Sequence, residues 1–210
     1  MPAMPSAPAS AAGAPGAPGD TVAVTVASRR WETEWPQAEG IARTAALHTL
    51  AHARAGARPA LDATIVLADD AGLRALNRRF RRRDAATNVL AFPLEDAFSP
   101  PLPLAGDGVG AARPIGDVAI AYETVLREAG EQAKAPAAHL AHLVAHGVLH
   151  LLGFDHRNEE EHAEMSRSER AILARLGHGD PLMSPGPGAA ATCGDHPHPD
   201  DEQRRPFFPE

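Results

Sequence analysis

In the run His146 to His156, HGVLHLLGFDH, three histidines and one glycine have the types and spacing that suit chemistry. An α-helix advances about 100° per residue, so a four-residue step returns to within about 40° of its starting direction, and His146 and His150 project from one face. Gly153 can adopt the left-handed conformation that ends a helix, after which the chain can turn back and bring His156 to the same point from the far side. Three imidazole nitrogens around one ion, with a coordination position left open, is the arrangement of a catalytic zinc and not of a structural one. The expected cofactor is therefore Zn2+, one ion per chain, with His146, His150 and His156 as ligands. His139 and His142 extend the same stripe upstream and are expected as core or supporting residues.

A second chemical feature is basic. Arg78, Arg79, Arg81, Arg82 and Arg83 fall inside six positions. Alone, such a cluster reads as a solvated helix face. Running into an apparent strand over Thr87 to Phe92, beside a metal site, it is also well placed to hold phosphates, because the planar guanidinium fork can take two phosphate oxygens at once. The formal net charge of −7 does not exclude a polyanionic partner. Most of the excess acid lies outside residues 21–177, which carry a formal charge of about −2. Local fields steer a phosphate chain more than the global sum does.

These residues need elements to position them. Residues 1–20 are Pro, Ala, Gly and Ser without a basic start or an apolar run, so they read as disordered and not as a secretory signal. Residues 178–210 form an acidic Pro/Gly-rich tail, also expected to be disordered, which holds the single cysteine, Cys193. No apolar run is long enough for a membrane span, and a cytoplasmic location is expected. Between the tails, Thr21 to Val26 alternates like a half-buried strand, Pro36 opens a helix ending near Gly56, and Asp62 to Ala68 reads as a second strand. Asp69 or Asp70 caps a helix with Leu73, Leu76 and Phe80 on its buried side. Glu95 to Pro114 lacks periodicity and reads as a long surface loop. Ile115 to Ala121 is a strand, and Glu123 to Lys134 is helical. The helix after Pro136 is apolar on nearly all sides and should be the buried central one. Asn158 to Leu176 forms a last amphipathic helix. The expected fold is α+β: a small mixed four-stranded sheet packed on the histidine helix, with surrounding helices.

Several blocks of the sequence resemble the YbeY-type endoribonuclease family of bacterial ribosomal-RNA maturation factors, whose ligand spacing is that of the metzincin-like zinc proteins. HGVLHLLGFDH carries its signature, and Leu76, Asn77, Phe80, Arg81, Thr87, Asn88, Val89, Leu90, Phe92, Pro93 and the Gly-Asp-Val at 116–118 match further blocks, with Ala91 where the family usually has Ser. The resemblance implies a zinc-dependent endoribonuclease that cuts single-stranded RNA in maturation of the small-subunit (16S) ribosomal RNA 3′ end and in ribosome quality control. Its partners would be precursor ribosomal RNA and the ribosome. On this reading Arg81 and His150 are catalytic, with Arg81 stabilising charge that develops on the phosphate, and Arg79, Arg82, Arg83 and Asn88 contact substrate. Asp117 either orients a ligand histidine or is only a turn residue. Asp155 either carries a proton or caps the turn. Two other classes share parts of the pattern: a zinc peptidase or amidase, and a non-catalytic ribosome-assembly factor with a structural metal. Against the first, Gly147 stands directly after the first histidine, where metallopeptidases place a Glu general base.

Overall fold

The computed structural model describes residues 19–53, 60–94, 112–155 and 158–178. His156, both expected tails beyond these limits and most of the 95–114 stretch lie outside the described residues. The elements run β1 (Thr21–Val26), α1 (Arg30–Thr33), α2 (Ala38–His52), β2 (Leu61–Ala68), α3 (Asp70–Arg81), β3 (Val89–Pro93), β4 (Arg113–Ala121), α4 (Tyr122–Glu131), α5 (Pro136–Leu151) and α6 (Glu159–Arg175). The expected order of strands and helices is present, with α1 added. This single turn is held by Trp31, whose buried indole N–H donates to the Ala68 carbonyl at 2.7 Å. Arg113 and Pro114, expected in the loop, belong to β4.

The four strands form one sheet in the order β1-β2-β4-β3. β1, β2 and β4 are parallel, and β3 runs antiparallel along β4 as an edge strand. The β2–β4 register shifts between Asp62 and Ala63, opposite Pro114 and Gly116. Gly116 makes this bulge possible: its φ is +136°, and a Cβ there would meet the Phe92 carbonyl oxygen. Beyond the bulge β4 alternates strictly, with Val118 and Ile120 entering the main core and Ala119 and Ala121 the opposite face.

That alternation gives the sheet two unlike faces. One is covered by α2 and α5, and the residues between them form the main core with Ile65, Leu67, Ile115, Val118, Leu140, Val144 and Val148. The other carries α3, where Leu73 and Leu76 pack on Leu90, Phe92, Ala119 and Ala121. The edge strand β3 therefore has the histidine helix against one face and the arginine helix against the other. α5 is buried along most of its surface, as its composition predicts, and α6 closes on it through Met165 and Ile172 against Ala145 and Leu149.

One expected core residue is not in the core. Phe80 follows Leu73 and Leu76 at helical spacing, yet its side chain is 53 % exposed. The C-terminal end of α3 carries it past the edge of the sheet, where it meets Phe92 of the short edge strand.

Candidate metal centre

From His139 to Leu151 every residue of α5 is buried except His142, His146 and His150, which form one partly exposed stripe at four-residue spacing. The spacing thus does what helical geometry requires of it. The helix ends as its glycine predicts: Gly153 has φ +85°. Its N–H donates to the His150 carbonyl and the Phe154 N–H donates to the Leu149 carbonyl, both at 3.0 Å. This pair of bonds is the Schellman arrangement, which satisfies carbonyls left over at a helix end and reverses the chain. Asp155, partly buried, lies just beyond it beside a depression formed with Leu152, Gly153, Phe154, Glu161 and Glu164.

Hydrogen bonding separates the four histidines of α5 into two kinds. His139 is buried and donates from Nε2 to the Glu128 carboxylate at 2.9 Å. His142 donates from Nε2 to Glu169 at 3.3 Å. Facing a carboxylate, Nε2 carries the proton, so the lone pair of the neutral ring falls on Nδ1. In both rings Nδ1 is buried without a partner among the described residues. Neither ring therefore turns Nε2 toward a ligand. His146 is held the other way round: its Nδ1 donates to Glu169 at 2.8 Å. That bond fixes the tautomer and leaves the Nε2 lone pair aimed along the stripe, where it lies 3.1 Å from Nε2 of His150.

Two imidazole nitrogens this close share either a proton or a metal ion. At typical zinc–nitrogen distances of about 2.0–2.1 Å, this separation would allow both nitrogens to hold the same ion. The carboxylate behind His146 is the support that metal-bound imidazoles characteristically have. Among the described residues no group of three His, Cys, Asp or Glu side chains closes on one point. The expected third ligand, His156, lies outside them. What the structure brings together is thus two converging nitrogens and their carboxylate, a donor set that fits a divalent ion of the zinc type.

Glu169 was not legible as a site residue in the sequence, where it is one acid among several on an amphipathic helix. Its side chain is only 13 % exposed. Burial is the largest single influence on its carboxyl and pushes it up, but the hydrogen bonds donated by His142 and His146 outweigh burial and hold it below the usual carboxylate range. A buried acid on the inner face of a polar helix, facing an i, i+4 histidine stripe, is the signal that could have found it. The position considered for this role, Asp117, is exposed. By the alternation of β4 it lies on the sheet face away from α5, so it does not orient a histidine of that helix.

Gly147 has a packing reason. A Cβ on it would sit 2.5 Å from Val118 Cγ1 and 3.3 Å from Val89 Cγ2. The helix lies so close to the sheet that position 147 has no room for a side chain. A base placed directly after His146 is excluded by the fold.

The arginine side of β3 is organised differently. α3 starts at Asp69, whose carboxylate caps the Gly72 N–H at 2.8 Å, and ends at Arg82 in the left-handed conformation with φ 56°. Arg81, partly buried, donates to the Ala91 carbonyl of β3 at 3.4 Å. Arg79, Arg82 and Arg83 are exposed. Arg74 is instead paired with Asp84 at 2.7 Å. Asn88 is engaged at both ends inside the chain: Oδ1 accepts from the Val89 N–H at 2.7 Å and Nδ2 donates to Glu128 at 3.1 Å. It anchors the start of β3 and is not an amide held out to substrate. Among the described residues no helix is long and apolar enough to cross a membrane.

A family model described as Endoribonuclease YbeY matches residues 26–177. The Endoribonuclease YbeY of Azorhizobium caulinodans is 46% identical over 153 residues, covering 73% of this chain and 91% of that protein. Its namesake in Chelativorans sp. is 44% identical over 161 residues, covering 77% and 92%. The one in Rhodospirillum rubrum is 44% identical over 165 residues, covering 76% and 80%. A solution structure of a Thermotoga maritima protein superposes with a TM-score of 0.47 at 17% identity, covering 80% of this chain and 99% of that one.

Proposed function

This chain belongs to the Endoribonuclease YbeY family, and we propose that it hydrolyses phosphodiester bonds of single-stranded precursor ribosomal RNA with one zinc ion held by His146, His150 and His156. The observation that carries the metal is the convergence of two Nε2 atoms at 3.1 Å, with His146 fixed from behind by Glu169. When bound, such an ion supplies a double positive charge and Lewis acidity toward a phosphoryl oxygen.

The chain's own residues do the rest. Glu169 holds the His146 ring in the tautomer that offers Nε2, and its second hydrogen bond ties His142 into the same support. Arg81 is anchored on the edge strand that packs against α5. There it supplies a fixed positive charge to the phosphate as negative charge builds on its oxygens, with no reorganisation needed during reaction. Arg79, Arg82 and Arg83 bind flanking phosphates, which positions the strand without reading its sequence. The peptidase reading lacks its base, because Gly147 is packed against Val118.

In the cell this reading places the protein in the cytoplasm, acting on the 3′ end of small-subunit ribosomal RNA in maturation and quality control, with the ribosome as partner. Its test is metal analysis coupled to cleavage of a single-stranded RNA by wild type and His150→Ala. Wild type should carry zinc and cut, and the variant should do neither. A folded His150→Ala protein that cuts at the wild-type rate would refute the proposal.

A further inference from the structure

Two large apolar side chains are exposed among the described residues, Phe80 at 53 % and Leu94 at 49 %, and both flank the edge strand β3. Phe80 stands in an unusual setting for an exposed ring. The Phe92 ring packs against it with centroids 5.3 Å apart and planes at 65°, and more than half of Phe80 remains exposed. The Arg79 guanidinium lies over the ring, 5.1 Å from its centroid, so a base stacking on Phe80 would do so beside or in place of that cation. Arg78, Arg82 and Arg83 are exposed close by in sequence, and Arg81 follows directly.

An exposed apolar ring among guanidinium groups asks for a partner with flat apolar faces and regularly spaced negative charge. An acidic peptide would satisfy the arginines and leave the ring wet. A nucleic-acid strand satisfies both, with its phosphates on the arginines and a base on the ring. The base must be unpaired, because a duplex buries the faces of its bases in its own stack.

We propose that Phe80 is a stacking platform for an unpaired RNA base, seated where the strand crosses the edge of β3 from the arginine helix to the histidine helix. The proposal rests on the endoribonuclease reading and deepens it, since it gives the preference for single strands a physical origin in one side chain. It also assigns a role to a residue whose helical spacing would otherwise place it in the core.

The test is steady-state cleavage of a short RNA, single-stranded or annealed to its complement, by wild type, Phe80→Ala, Phe80→Trp and Arg79→Gln. Base–aromatic stacking measured by alanine substitution implies a rise in KM of about five- to a hundred-fold for Phe80→Ala on the single strand. kcat should be unchanged, KM should be restored in Phe80→Trp, and little preference for the single strand over the duplex should remain in Phe80→Ala. The dependence on salt separates stacking from charge. Phe80→Ala should keep the wild-type slope of log(kcat/KM) against log[salt], whereas removing one phosphate contact in Arg79→Gln should flatten it by about 0.7. If wild type cuts RNA and Phe80→Ala cuts it with the same KM, or if Phe80→Trp fails to restore KM, the stacking role is wrong and the endoribonuclease reading stands. If wild type cuts no RNA, both fall together.

Discussion

Removing the support behind His146 should weaken metal binding without unfolding the protein. Glu169→Asp is the sharpest perturbation, because it keeps the charge and withdraws the carboxylate by one carbon–carbon bond, about 1.5 Å. The present bonds of 2.8 Å to His146 and 3.3 Å to His142 then both open beyond hydrogen-bond range. Once Nδ1 of His146 has lost this acceptor, Glu169 no longer sets the ring's tautomer, and the lone pair is no longer held toward the shared site by that bond. Loss of such an outer partner costs about 10- to 100-fold in metal affinity, or about 1.4–2.7 kcal/mol. The assay is competition for Zn2+ against a chromophoric chelator at neutral pH, with circular dichroism melts to check the fold. Glu160→Asp, on the exposed side of the same helix, is the control. A well-folded Glu169→Asp protein that holds zinc as tightly as the control would refute the assignment of Glu169 to the metal centre.

Other perturbations bear on separate parts of the structure. Arg81→Ala should lower turnover by about 100-fold or more while zinc content, read by mass spectrometry, stays at the wild-type level. Gly153→Ala forces a side chain into a left-handed position, at a cost of about 1–2 kcal/mol; chemical denaturation measures that loss, and chelator competition should show weakened metal binding as the turn after α5 shifts. Glu128 gives a pH signature. Burial pushes its carboxyl up, but hydrogen bonds from His139 and Asn88, with the charge of Arg127, outweigh burial and hold it below its ordinary value. A depressed carboxyl contributes stability that is present above its unfolded pKa and lost as pH falls through the folded one. The stability gap between wild type and Glu128→Gln in urea should therefore be widest near neutrality and close in acid, and a gap that does not narrow would count against the ionic contact.

How much of this could be read from the chain alone follows from how local each signal is. The His146–His150 pair and the Gly153 turn are set by helix geometry and glycine's freedom over eight residues, and the structure has both. The sheet was legible because its strands alternate or run apolar between clear breakers. What the sequence hid depends on contacts across the fold. Glu169 lies 23 residues from His146, and only the packing of α6 on α5 makes it a partner. The resemblance puts Asn88 against substrate, whereas its bond to Glu128, 40 residues away, is set by packing that the sequence does not display. Phe80 carries the period of a core residue, but period says nothing about where the sheet stops.

Gly147 joins the packing to the chemistry. In a zinc peptidase the residue after the first ligand brings a carboxylate to the metal, which requires space beside the helix at that position. Here Val118 occupies that space, 2.5 Å from where a Cβ would begin. Overpacking of this kind costs about 1–3 kcal/mol, so Gly147→Ala should lower stability by that amount in urea unfolding. Gly147→Glu should cost more, because it adds a carboxylate that the sheet would bury without a partner, and it should not create activity on casein. The close approach also holds α5 directly against β3, whose other face carries Phe92 against Phe80 and whose edge carries Arg81. A helix pushed away by a larger residue would separate the histidine pair from the arginine side. RNA cleavage should therefore fall in Gly147→Ala even where zinc content is retained. Unchanged cleavage, in a variant destabilised as expected, would show that the two sides of the edge strand need no fixed separation.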